Sequence, residues 1–531
     1  MLNTARAFGA MAVAPHHLAS QSALAVMRDG GNAIEAMIAA AATIAVVYPH
    51  MNGLGGDSFW LVAPPNGAPV AIDASGPAAA AASIENYHAR GFKAIPMRGP
   101  LAANTVAGTV GGWDCALQLA REQGGNLPLA RLLRDAIDYA TQGVAVSKSQ
   151  SDATKNKLRE LRSRPGFTDQ FAPGGVAPEA GARFLQPRVA HCLRTLVDEG
   201  LDSFYRGSLA QQIAQDLAEV GSPVALADLA AYRAQRCQPL SLPHSQGTLY
   251  NMVPPTQGVI SLAILGVLDR LGLAQVEADS ADYIHLCVEA TKQAFALRDR
   301  HVCDPEHMDV PAQDLLQAER LDQLAGQIDP ARAAPWGKGR GPGDTIWMGV
   351  IDHQGMAVSF IQSIYHEFGS GVVLPRTGIN WQNRGASFSL DPQHLLALVP
   401  GKKPFHTLNP ALARLSDGRV MVYGTMGGDG QPQTQAAVFT RHVVFGQPLQ
   451  QAVSAPRWLL GRTWGQSSES LKLESRFSAE LVQQLRARGH EVDVLQDYDE
   501  TMGHAGAIVR HADGLLEGAA DPRSDGGVAA Y

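Results

Sequence analysis

Apolar residues recur at helical spacing across 18–28, and Gly30-Gly31 closes the run, which predicts an amphipathic helix ended by glycine. Asn32 then stands where its side chain can cap a second helix, 33–47, in which nearly every position is apolar. A helix without a polar face must be buried on almost all sides. After Asn52-Gly53-Leu54-Gly55-Gly56 come two strand-like runs, 59–63 and 69–74, hinged at Pro64-Pro65-Asn66-Gly67. From about 109 to 334 the pattern is mainly helical, with loops rich in glycine and proline and no internal repeat.

The pattern changes at 334–344, where Ala334-Pro335-Trp336-Gly337-Lys338-Gly339-Arg340-Gly341-Pro342-Gly343-Asp344 places four glycines and two prolines in eleven residues. That composition favours neither helix nor strand and reads as a mobile surface loop. Residues 345–351 follow as a strand apolar at nearly every position, the mark of a strand inside a sheet. Asp352-His353-Gln354-Gly355 turns it into a second apolar strand, 356–364. Two more strands, 411–415 and 420–423, flank Ser416-Asp417-Gly418, and a helix over 433–445 follows Gly427-Gly428. This order predicts two packed sheets with helices outside.

Composition narrows the function. With 531 residues, 45% hydrophobic and 18% charged, the chain has ordinary globular composition and ample material for a large core. The net charge of −7 is spread out and no Lys/Arg cluster stands out, which argues against nucleic acid or an anionic membrane as partner. Cys115, Cys192, Cys237, Cys287 and Cys303 are scattered, odd in number and never paired as C-x-x-C. They fit idle thiols in a reducing compartment better than a disulfide framework or a thiolate metal site. The opening residues lack the pattern of a secretion signal, and the longest apolar run, 37–47, is too short to cross a bilayer. A soluble cytoplasmic protein is the expectation.

The chemistry centres on Thr345. If the loop is cut between Asp344 and Thr345, the strand begins with a free α-amine beside a hydroxyl. An α-amine has a pKa of about 7.7–8.0, so it serves as a built-in general base for that hydroxyl. The same hydroxyl would make the cut, attacking the Asp344 carbonyl in an N-to-O shift. A threonine opening a strand is also what β-propensity alone produces. The second piece, Gly424-Thr425-Met426-Gly427-Gly428, runs a strand into a glycine pair before a helix, a place for backbone N–H groups to meet an oxyanion, or an ordinary turn. His50, Asp57, His366 and His406 lie near glycine-rich turns without metal-ligand spacing, and histidines so placed are mostly structural. No G-x-S-x-G elbow is present.

Taken together, several long blocks in order resemble the γ-glutamyltranspeptidase family nearly end to end. They are HHLASQSALAVMRDGGNAIEAMIAAA, YPHMNGLGGDSFWLV, DTIWMGVIDHQGMAVSFIQSIYHEFGSGVV, GTMGGDGQPQ, SAPRW and DPRSDGGVAAY. The resemblance implies a mixed α/β, four-layer αββα fold of the N-terminal-nucleophile hydrolase type. It also implies autocleavage into a large subunit, 1–344, and a small subunit, 345–531, that stay together as a heterodimer or a dimer of heterodimers. Thr345 would be the nucleophile, Ser363 its hydrogen-bonded neighbour, and Gly427 and Gly428 the oxyanion site. No cofactor and no metal are implied.

The chain departs from the transpeptidases where they clamp a glutamyl group. Ser75 replaces the arginine for the α-carboxylate, Ser387 the acidic residue for the α-amine, His406-Thr407 the paired serines, and Tyr365 the substrate-binding asparagine. A buried charged group without its partner costs roughly 3–5 kcal/mol, which disfavours glutathione. The altered segments around Asn383-Arg384-Gly385 and Pro404-Phe405-His406-Thr407 are similar to a cytoplasmic branch that hydrolyses oxamate, a small anionic amide from uric acid and allantoin breakdown. On that reading the products are oxalate and ammonia, and Arg384 and His406 are the candidates to hold the carboxylate. A broader acylase or γ-glutamyl hydrolase, and an uncleaved relative that only binds a small anion, are the alternatives.

Overall fold

The computed structural model describes residues 3–336, 344–461 and 468–531. Most of the loop expected over 334–344 therefore lies outside the described residues. The first predicted helix runs over His17–Arg28. The second, Ala33–Val47, starts at a capping box between Asn32 and Glu35, and every one of its residues is buried. The capping residues satisfy amides that would otherwise be stranded in an apolar interior.

Two seven-stranded antiparallel sheets face each other. The first runs in the order Gly527–Ala530, Met11–Ala14, Asp344–Ile351, Ala357–Tyr365, Asp57–Ala63, Val70–Ala74, Gln235–Cys237. The second runs Ala5–Ala7, Leu516–Ala520, Ala505–Arg510, Val420–Thr425, Ala411–Leu415, Gly247–Asn251, Leu240–His244. Both sheets draw strands from both ends of the chain, so the parts before and after 344 form one interwoven body.

Three apolar cores define four layers. Phe59, Leu61, Trp347, Ile361, Leu412, Val422 and Ile508 pack between the sheets. Trp60, Ile346, Met348, Val350 and Phe360 turn the other way, onto the first helices. Ala413, Met421, Tyr423 and Val509 pack on the far side with Gly258–Arg270, Ala281–His301 and Gly430–Phe439. Alternate residues of one strand thus serve two cores, which is why 345–351 reads as continuously apolar.

Element boundaries shift slightly from expectation. The second apolar strand is Ala357–Tyr365, and the helix after the glycine pair begins at Gly430 and passes into a π turn at Thr440–Val444. The region expected to be mainly helical also contributes Gln235–Cys237 and Leu240–His244, one edge strand of each sheet, and Gly247–Asn251, which lies just inside the second edge. These are short and carry polar residues and a proline, as edges do, and so lack a strong alternating signal.

Candidate active site

The site forms where the central strands of the first sheet end. Register places Asp344 opposite Tyr365 and Ile346 opposite Gln362, with an irregularity between them. Thr345 sits in that irregularity, fully buried, on the parity of Trp347 and so toward the space between the sheets. Across the neighbouring strands Ser363 pairs with Asp57, and both share the parity of inter-sheet Ile361 and Phe59. Thr345, Ser363 and Asp57 therefore line up over three adjacent strands on one face.

The Thr345 hydroxyl accepts a long hydrogen bond, 3.4 Å, from Gln431 Nε2. Gln431 is itself fixed, because its Oε1 accepts from the Asn409 backbone N–H at 3.2 Å. It stands in the first turn of the helix behind the glycine pair. Gly427 and Gly428 have φ of +118° and +54°, conformations that residues with a Cβ adopt only under strain. Their carbonyls are taken by the N–H groups of Gly430 and Gln431, at 2.8 and 3.2 Å. Gln257 Nε2 bridges the Gly428 and Thr407 carbonyls at 2.9 and 2.8 Å, tying this turn to the segment that carries His406.

Around Ser363 lies a buried polar group of uneven satisfaction. Ser363 Oγ accepts from the Tyr365 N–H at 2.8 Å and from Arg384 Nη2 at 3.4 Å. Tyr365 holds a strained φ of +81°, and the Arg384 guanidinium lies 4.0 Å from the centre of its ring. Arg384 is 1% exposed, yet its Nε and Nη1 have no hydrogen-bond partner. Burial pushes its pKa down to about 10 against the opposing pull of Tyr365 and Asp57, so it stays charged at neutral pH.

Asp57 Oδ1 accepts from the N–H groups of Gly76 and Gly108, at 3.0 and 2.9 Å, while Oδ2 has no hydrogen-bond partner. Burial drives this carboxyl up to about 7, with Gly108 and Arg384 pulling it back. His406 Nε2 stands 3.5 Å from Asp57 Oδ2, and neither ring nitrogen makes a hydrogen bond. Burial first, then Arg384 and Lys403, hold this imidazole well below its usual pKa. The ring is therefore neutral, and its contact with Asp57 is not an ion pair. Arg384, Asp57 and His406 thus present unfilled donors and acceptors in a space closed to bulk water, where such groups are costly unless a ligand completes them.

The remaining expected positions divide. Thr407 is buried beside His406 with a hydroxyl lacking a partner. Ser387 Oγ reaches the Phe405 carbonyl at 3.3 Å, bracing the His406 segment. Ser75 turns its hydroxyl to Asp73 Oδ1 at 2.6 Å, and Lys403 Nζ meets the other oxygen of Asp73 at 2.7 Å. Its hydroxyl is thus spent on a structural network, although the adjacent Gly76 amide serves Asp57. His50 and His366 are each left with one ring nitrogen unpaired. Sequence reasoning passed over Asp57 as structural and did not single out Gln431. Both sit inside quoted blocks, NGLGGDSF and GTMGGDGQPQ, but no spacing rule points to them.

The gamma-glutamyltranspeptidase family model matches residues 19–531. The chain belongs to this family. It is 65% identical to the oxamate amidohydrolase proenzyme of Klebsiella pneumoniae, covering 98% of each chain, and 42% identical to the glutathione hydrolase-like YwrD proenzyme of Bacillus subtilis, covering 97% of each. Its fold superposes on the crystal structure of a cephalosporin acylase from Bacillus halodurans with a TM-score of 0.91 at 33% identity, covering 100% of this chain and 97% of that one. This gamma-glutamyltranspeptidase-family chain is accordingly an amide-hydrolysing enzyme with the αββα architecture of the N-terminal-nucleophile hydrolases. Among the described residues no helix is long and apolar enough to cross a membrane.

Proposed function

We propose that this enzyme cuts itself between Asp344 and Thr345 and then hydrolyses a small anionic amide, oxamate, to oxalate and ammonia. The Thr345 hydroxyl attacks the Asp344 carbonyl, the peptide bond shifts to an ester, and water hydrolyses that ester to leave an α-amine on Thr345. In turnover the amine takes the hydroxyl proton, Oγ1 attacks the amide carbonyl, and the oxyanion rests on the Gly427 and Gly428 amides. The proton passes to the leaving nitrogen, ammonia departs, and water releases oxalate from the oxalyl-Thr345 ester.

The observation that carries this reading is Arg384, a buried guanidinium with Nε and Nη1 unpartnered next to Ser363, which is one strand from Thr345. Nε and Nη1 lie on different edges of the guanidinium, so a carboxylate would take two charge-assisted hydrogen bonds from either of them together with Nη2, whose second hydrogen the long contact to Ser363 leaves free. His406 and Thr407 would supply neutral contacts, Tyr365 packs on the guanidinium, and Ser75 and Ser387 hold the surrounding segments. The 65% identity to an oxamate amidohydrolase proenzyme supports the same substrate. Five free cysteines favour a reducing cytoplasm. The proposed units, 1–344 and 345–531, share both sheets and would remain a heterodimer after the cut.

Intact mass spectrometry followed by ammonia release from oxamate tests the proposal. Two fragments split at Asp344/Thr345, with ammonia released, are expected. Two fragments inactive on oxamate but active on a cephalosporin or γ-glutamyl amide would move the substrate to the acylase or glutathione-hydrolase relatives. One uncut chain that binds oxamate without turnover would refute catalysis.

A further inference from the structure

A second cluster lies away from the Thr345 site. His285 and Glu289 are one helical turn apart on Ala281–His301 and so project from one face. His490, from the turn after helix Ala479–Ala487, meets them there. All three are buried, and their nearest ligand atoms lie within 4.8 Å of one another.

His285 Nε2 is 2.9 Å from the Asp329 carbonyl. A carbonyl only accepts, so this nitrogen carries the proton and leaves the Nδ1 lone pair facing His490 Nε2 at 2.8 Å. An imidazole whose outer N–H is fixed on a backbone carbonyl is the arrangement that orients histidines at metal centres. Two imidazole nitrogens on a tetrahedral zinc with bonds of about 2.0–2.1 Å stand roughly 3.3 Å apart, about half an ångström more than here. Glu289 Oε1 takes Lys292 Nζ at 2.7 Å and Oε2 takes the Ala334 N–H at 3.0 Å. Lys292 also donates to the Ala334 carbonyl at 2.6 Å, so it keeps a partner if Oε1 turns to a cation. A cavity of about 380 Å³, lined by Lys292, Ala334, Trp336 and His490 among others, reaches the cluster on its His490 side.

We propose that His285, Glu289 and His490 form a site for a divalent transition metal of the zinc class, with imidazole, imidazole and carboxylate ligands. The site borders the segment that leads to the proposed cut, because Glu289 accepts from the Ala334 N–H and Lys292 donates to the Ala334 carbonyl. His285 and Glu289 precede residue 344 and His490 follows it. A bound metal therefore staples the large subunit to the small one. That consequence rests on the proposed cut, whereas the site itself does not.

The test is zinc titration of the full-length, chelator-treated protein by calorimetry, with thermal unfolding and the visible spectrum of the cobalt-substituted form. One zinc per chain is expected, with a raised Tm and tetrahedral cobalt absorption. Affinity should fall at least tenfold in His285→Ala, His490→Gln and Glu289→Gln. Removing the competing ammonium in Lys292→Ala should tighten binding, by about tenfold. Repeating the titration on Thr345→Ala separates this proposal from the cleavage reading, since an uncut chain should still take up the metal. No uptake, or uptake unchanged in the folded His490→Gln and Glu289→Gln variants, would overturn the site and leave the two histidines as a hydrogen-bonded pair.

Discussion

Arg384→Gln separates recognition of the substrate's charge from the chemistry at Thr345. In the free enzyme the guanidinium is buried, its pKa is pushed down to about 10, and Nε and Nη1 are unpartnered. Neutralising it therefore removes a buried charge that Tyr365, Ser363 and Asp57 offset only in part, and the Tm of the variant should equal or exceed that of the parent. With oxamate bound, the same substitution leaves a buried carboxylate without its cation, at a cost of about 3–5 kcal/mol. That corresponds to a fall of roughly 150- to 5,000-fold in kcat/KM. Oxamide, in which a neutral amide replaces the carboxylate, provides the control: its turnover should change by less than about tenfold. Ammonia release from both compounds, with differential scanning fluorimetry on the same preparations, reads all three quantities. Equal losses on oxamate and oxamide, or a marked fall in Tm, would assign Arg384 to the scaffold and refute the argument from its unpaired nitrogens.

Thr345→Ala should yield a single band near 56 kDa and no ammonia, whereas Thr345→Ser should still cleave, more slowly; normal processing in the alanine variant would remove Thr345 from the mechanism. Gln431→Ala removes the side-chain donor to Thr345 Oγ1 and should slow self-cleavage about tenfold, the worth of one ordinary hydrogen bond, measured as the half-time of precursor loss on a gel. Asp57 is raised to about 7 by burial while the unfolded carboxyl titrates near 3.9, so between those values the folded state binds more protons than the unfolded one. Stability should accordingly fall as pH rises from about 4 to 7, by up to ~4 kcal/mol, and Asp57→Asn should flatten that slope in Tm; an unchanged slope would show that Asp57 is ionised throughout.

Much of this protein was legible one residue at a time. Continuous apolarity marks 345–351 as interior, and Asn32 announces the buried helix Ala33–Val47. Ordered motif blocks carried the family, and the resemblance points to Thr345, Ser363, Gly427 and Gly428 as its proposed site. These signals are local, because propensity, capping and turn chemistry act over a few residues. What the tertiary structure decided is which groups meet without partners. Asp57 and His406 are 349 positions apart, and the sequence points only to His406 as a substrate contact, yet packing leaves Asp57 Oδ2, both His406 nitrogens and two Arg384 nitrogens unfilled in one place, while turning Ser75 away to Asp73. Likewise His285, Glu289 and His490 form no recognisable spacing until a helix and a distant turn pack together. Burial and hydrogen-bond satisfaction are properties of the assembled interior, set by chain segments hundreds of residues apart, so no window of sequence contains them.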